Sequence, residues 1–119
     1  GFYQNGEKMK EIERVKSQQD FQKVISLKHR INSNIYVVYY IKNELDFPRF
    51  GISASKKLGN AVVRVKIRRQ VRAMIQQIKK VHTLKNKDYV IIVKKTYLDN
   101  DYKTNLQILE NMLKKAEEN

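Results

Sequence analysis

The sequence predicts an α/β or α+β sandwich, in which a small sheet packs with about three helices, and three observations carry that prediction. The chain reads helix, strand, strand, helix, strand, helix, with connections of ordinary length and neither repeats nor low-complexity tracts. Tyr89-Val90-Ile91-Ile92-Val93 is apolar throughout, the mark of a central strand covered on both faces. The longest helix, over about 61–80, crosses between two strands, which should therefore run parallel as neighbours or near neighbours.

Taken in order, residues 1–8 (GFYQNGEK) read as a tag or disordered leader, which leaves 9–119 as a single domain. Ser17-Gln18-Gln19-Asp20 resembles a capping signal, and Phe21, Val24, Ile25 and Lys28 follow at helical spacing, so a first helix covers roughly 17–28. Ile35 to Ile41 is β-branched and aromatic, between Asn32-Ser33-Asn34 and Lys42-Asn43-Glu44, and reads as a strand. Phe50, Ile52 and Ala54 alternate with Gly51, Ser53 and Ser55, which makes a second strand with one small or polar face. Gly59 breaks that pattern, and Asn60 caps the long helix. Asn100 or Asp101 caps a last helix whose Tyr102, Leu106, Leu109, Met112 and Leu113 share one face.

The charge is one-sided. The 119 residues carry 25 Lys and Arg against 12 Asp and Glu, a formal charge of +13, and 41% are hydrophobic, too many for a disordered polybasic tail. Between Phe47 and Lys87 there is no acid, yet 12 basic residues fall there, so the rest of the chain sums to only +1 (13 basic, 12 acidic). A surface built for solubility alone mixes signs, so a polyanion is the expected partner. Cysteine is absent, which removes disulfide partners, thiolate nucleophiles and cysteine zinc sites. No apolar run approaches the ~20 residues of a membrane span. No signal peptide is recognisable either, so the expected location is cytoplasmic, without a membrane partner.

At ~100° per residue the long helix turns Arg64, Arg68, Lys79, Arg72, Arg69, Lys80 and Lys66 into one arc, opposite Val63, Ile67, Val71, Met74, Ile75 and Ile78. One face packs and the other is basic. A solvated charged face is the ordinary reading of such a run. Here it lacks the i,i+4 acids that would relieve repulsion among Arg64, Arg68 and Arg72, which favours nucleic acid. Arginine forks suit phosphate, and Lys56-Lys57-Leu58-Gly59-Asn60 adds donors at the helix N-terminus. Val65 falls inside the basic arc, where it does no core work.

Tyr36 and Tyr40 share one strand face and Tyr39 takes the other; aromatics on an open sheet face can stack unpaired bases, although any single tyrosine is more often core or rim. Phe21 reads most simply as a core anchor, and Ser53 and Ser55 as phosphate donors or plain edge alternation. His29 and His82 are lone and flanked by basic residues, which suggests surface positions. The carboxylates cluster at the two ends without the spacing of a metal site or an acid/base pair, so neither catalytic nor metal-ligating residues are assigned.

The segment from Phe50 to Arg72, with its Ser-Ala-Ser-Lys-Lys-Leu-Gly-Asn-Ala-Val-Val-Arg run, resembles the signature of the bacterial ribonuclease P protein subunit. Arg14-Val15, Asp20-Phe21-Gln22-Lys23-Val24 and Tyr36-Val37-Val38-Tyr39 are similar to its upstream patterns, and the resemblance runs from about Arg14 to Val93. It implies a left-handed βαβ crossover through the basic helix, in a fold of the ribosomal protein S5 domain 2-like type. It also implies an endoribonuclease that works as a ribonucleoprotein: an RNA subunit with Mg²⁺ cuts precursor tRNA to release the 5′ leader, and the protein alone is not catalytic. By position, Lys56, Lys57, Asn60, Arg64, Lys66, Arg68, Arg69 and Arg72 would contact the RNA subunit, and Phe21 and Tyr39 the single-stranded leader. Val65 stands where the family usually has Asn, and Ser33-Asn34 where it has Asn-Arg, which removes a hydrogen-bonding group and a charge. The competing reading is a non-catalytic RNA-binding or ribosome-associated protein of the same fold. A DNA-binding protein is disfavoured by the lack of a recognition-helix motif or dimerisation signal.

Overall fold

The computed structural model describes residues 18–26 and 29–118; within the first helix the side chains of Gln18, Asp20, Phe21 and Ser26 lie outside the described residues, as do residues 1–17. Helix α1 spans Gln18–Ser26, strand β1 Arg30–Asn32, β2 Tyr36–Lys42, β3 Arg49–Ser53, helix α2 Ala61–Val81, strand β4 Lys87–Val93 and helix α3 Tyr102–Glu118, with 3-10 turns at Lys56–Leu58 and Lys95–Asp99. The sheet has the order β1-β2-β4-β3. β2 pairs antiparallel with β1 and β4, whereas β3 lies parallel to β4. The apolar strand is thus central, and the strands joined by the long helix are parallel neighbours, as the crossover requires.

Three helices and a mixed sheet bear out the sandwich. α2 and α3 cover one sheet face. Ile67, Val71, Met74, Ile75 and Ile78 of α2 and Leu109, Met112, Leu113 and Ala116 of α3 are buried with Tyr36, Val38, Phe50, Ile52, Tyr89 and Ile91 of the sheet. Phe50 stacks on Tyr89 with ring centroids 5.2 Å apart. Asp101 caps α3, its Oδ1 accepting from Thr104 N at 2.8 Å. Those hydrogen bonds to Thr104 hold the exposed carboxyl below its ordinary range.

Two details depart from the sequence reading. β1 has three residues, too few to show a period, and β4 begins two residues early on charged Lys87 and Asp88, both buried. Lys87 Nζ donates to Ala116 O at 2.5 Å and Glu117 O at 3.3 Å, so an ammonium closes the C-terminal end of α3. Burial, reinforced by Lys85, lowers its pKa.

Gly59, between the first 3-10 turn and α2, has φ of 145°, and a Cβ there would come within 3.1 Å of Val63 Cβ and Cγ1. Gly59→Ala is therefore expected to destabilise the fold by ~1–3 kcal/mol. Denaturant unfolding checks this, and a loss under ~0.5 kcal/mol would show that the turn relaxes freely.

Candidate RNA interface

The basic residues stand where the parallel strands end. β3 leads from Ser53 through buried Ala54 to the Lys56–Leu58 turn, which Leu58 anchors in the core while Lys56 and Lys57 stay exposed. Asn60 then caps α2, its Oδ1 accepting from Val63 N at 3.0 Å, and no acid stands in the first turn. The capping oxygen of Asn60 is thus engaged structurally. The free N–H groups and positive dipole end of α2 lie among the lysines.

Along α2, Arg64, Arg68 and Arg72 form a half-buried i,i+4 ridge, flanked by exposed Lys66 and Arg69. All eight predicted RNA-contact residues thus lie on one continuous stretch, from the turn through the first three turns of the helix. Val65 is 44% exposed and Val62 77%, so an apolar edge does sit within the basic surface. Tyr36 and Tyr40 belong to the α2/α3 core; Tyr36 Oη donates to Asn105 O at 2.9 Å, and burial drives its hydroxyl pKa up. Ser33 is consumed by its own turn, accepting from Tyr36 N at 3.0 Å. Nor is His82 a plain surface residue: its Nε2 stands 2.7 Å from Glu110 Oε2 and ties α2 to α3, whereas His29 is exposed.

Tyr39 points to the other sheet face, where it is half-exposed. The register stacks three rungs across that face, Val37–Ile92–Ser53, Tyr39–Val90–Gly51 and Ile41–Asp88–Arg49, with Asn32 and Arg30 of β1 extending the first two. α1 lies over part of it and buries Val24. Phe21, the other predicted leader contact, belongs to that helix, and its side chain lies outside the described residues. Arg30, exposed beside Tyr39, was not legible in the sequence, because a three-residue strand gives no alternation to read. It places a cation on the face where Ser33-Asn34 lacks one.

At the third rung Arg49 Nε and Nη2 donate to the two oxygens of Asp88 at 2.9 and 2.6 Å, and Asn43 Nδ2 donates to Asp88 Oδ1 at 2.8 Å. Among the described residues no group of three His, Asp or Glu side chains could hold a metal ion. The arrangement can therefore grip phosphates along a helix and unpaired bases along a sheet face.

The family model described as Ribonuclease P matches residues 9–117. The ribonuclease P protein component of Mycoplasma capricolum is 37% identical over 107 residues, covering 89% of this chain and 97% of the relative. The RNase P protein of Staphylococcus aureus superposes with a TM-score of 0.78 at 38% identity, over 87% of this chain and 94% of that one. The RNase P protein of Thermotoga maritima gives 0.78 at 31% identity, over 87% and 96%.

Proposed function

Because the chain belongs to the ribonuclease P protein family, we propose that it is the protein subunit of a ribonucleoprotein that removes the 5′ leader from precursor tRNA, with an RNA subunit performing the cleavage. One observation carries the division of labour: the acid-free helix α2 covers one face of the sheet while Tyr39 stands half-exposed on the other, so the two surfaces present different chemistry. Arginine and lysine at helical spacing suit the phosphates of a folded RNA, and the bidentate fork of arginine fits them. Tyr39 and Arg30, on a sheet face with Phe21 on the helix above, suit a single strand whose bases are free to stack.

In this reading the Mg²⁺ ions belong chiefly to the RNA. The protein's part is electrostatic and positional. No helix among the described residues is long and apolar enough to cross a membrane, and we place the protein in the cytoplasm with its substrate.

The purified chain alone is expected to leave precursor tRNA intact, and with its cognate RNA subunit to lower the Mg²⁺ concentration needed for 5′ cleavage. Failure to stimulate that RNA would overturn the proposal. Equal affinity of the complex for precursor and mature tRNA would leave only a general RNA-binding role.

A further inference from the structure

Two valines stand on the crest of α2, where the core has no use for them. Among the described residues the exposed large apolar side chains are Val62, Val65, Val81 and Leu98, and the first two lie one turn apart at the start of that helix. Isolated exposed apolar residues are ordinary. These two are adjacent, because positions i and i+3 are neighbours on a helix surface, about 5–6 Å apart at Cβ. At about 100° per residue their midpoint projects opposite the buried row of Ile67, Val71, Met74, Ile75 and Ile78, so with Arg69 they occupy the outermost line of the helix. We infer that Val62 and Val65 form an apolar platform for one unpaired base of the RNA subunit, an inference that rests on the RNA-binding reading above and adds base recognition to its phosphate contacts.

The surroundings define the occupant. Lys66 follows Val62 by four residues, and Arg68 and Arg69 follow Val65 by three and four, so cations rim the platform along the helix. Helical side chains lean towards the N-terminus, and there the exposed Lys56 and Lys57 of the preceding turn and the free N–H groups of an acid-free first turn supply further positive charge. An isopropyl group cannot donate to a phosphate, so an RNA backbone laid across the crest would lose hydration there with no hydrogen bond gained. The complementary partner is apolar at its centre and anionic at its rim: a base lying flat on the valines, with its flanking phosphates reaching the lysines and arginines. A duplex keeps its base faces stacked inside, which leaves an unpaired nucleotide. A protein partner would need about 1,000 Å² of contact in all, far more than two valine side chains expose. A second copy of this chain would also bring like charges together on the basic rim.

The test reconstitutes the protein with its cognate RNA subunit and reads binding across a salt series. Val62→Ser and Val65→Ser together should weaken binding about tenfold, the order expected for one base contact. The slope of log affinity against log salt should match that of the parent, because no charge is removed, and this sets the pair apart from the arginines. Val65→Leu, which keeps the apolar surface, should retain the affinity. Serine is close to valine in helix propensity and both positions are exposed, so Tm should hold. In a second measurement, Val65→p-benzoylphenylalanine should crosslink to one nucleotide of the RNA subunit that is unpaired in the free RNA, and removing that base should cancel the effect of the serine pair. Binding of the serine pair within about twofold of the parent, or a flattened slope, overturns the platform and leaves the RNA-subunit role standing. Crosslinks to a paired stem, to precursor tRNA or to a second copy of the chain do the same. A parent chain that does not bind the RNA subunit overturns both.

Discussion

Replacing Arg64, Arg68 and Arg69 together by glutamine is expected to weaken binding of the RNA subunit several hundred-fold at moderate salt. Each guanidinium contact with phosphate is a charge-assisted hydrogen bond worth about 1–2 kcal/mol after its exposure to solvent is allowed for, and three of them sum to roughly 3–6 kcal/mol. The salt dependence tells this apart from general damage: the slope of log affinity against log salt should flatten by roughly 2–3, one increment per lost phosphate contact, and Arg68→Ala alone should take away one of them. Glutamine keeps the aliphatic stem and the helix propensity, and none of the three is among the buried residues of α2, so thermal stability should not fall. An unchanged slope with weakened affinity would mean that α2 acts through the fold and not through contact.

The second large effect is on stability. Asp88→Ala removes the acceptor that Arg49 and Asn43 share at a site where the aspartate is only 6% exposed. Breaking a fully buried pair costs about 3–5 kcal/mol; the Arg49 side chain keeps 24% of its surface in water, so about 2–3 kcal/mol is expected here, a fall of roughly 10 °C in Tm. Arg49→Ala should cost less, since Asp88 retains Asn43, and the double variant should cost less than the sum of the two. A Tm within 2 °C of the parent for Asp88→Ala would show that the array contributes nothing to the fold.

The central place of β4 and its parallel pairing with β3 could be anticipated from sequence, because Tyr89 to Val93 is apolar on both faces and because α2 crosses between the two strands. The basic face of α2 was legible for a related reason: the period of 3.6 residues sorts Arg64 and Arg68 from Ile67 and Val71 without any knowledge of the fold. What escaped was non-local. Arg30 becomes a neighbour of Tyr39 only through strand pairing. Asp88 and Lys87 were unreadable as strand because a charge enters a core only with partners, and those partners, Arg49 and Asn43 for one and the end of α3 for the other, lie far off in sequence. His82 reads as a surface residue until Glu110 is brought beside it by the packing of α3.

The ridge of Arg64, Arg68 and Arg72 sits on the back of the same helix whose other side fills the core. Folding therefore has to assemble like charges on a rigid rod, work that an unfolded chain avoids by spreading them apart. A bound polyanion cancels that work, so assembly with RNA and stability of the protein become one thermodynamic quantity: saturation at a hundred times the dissociation constant adds about 2.7 kcal/mol to the folded state. If the proposed RNA subunit is that polyanion, the chain is most securely folded in the complex.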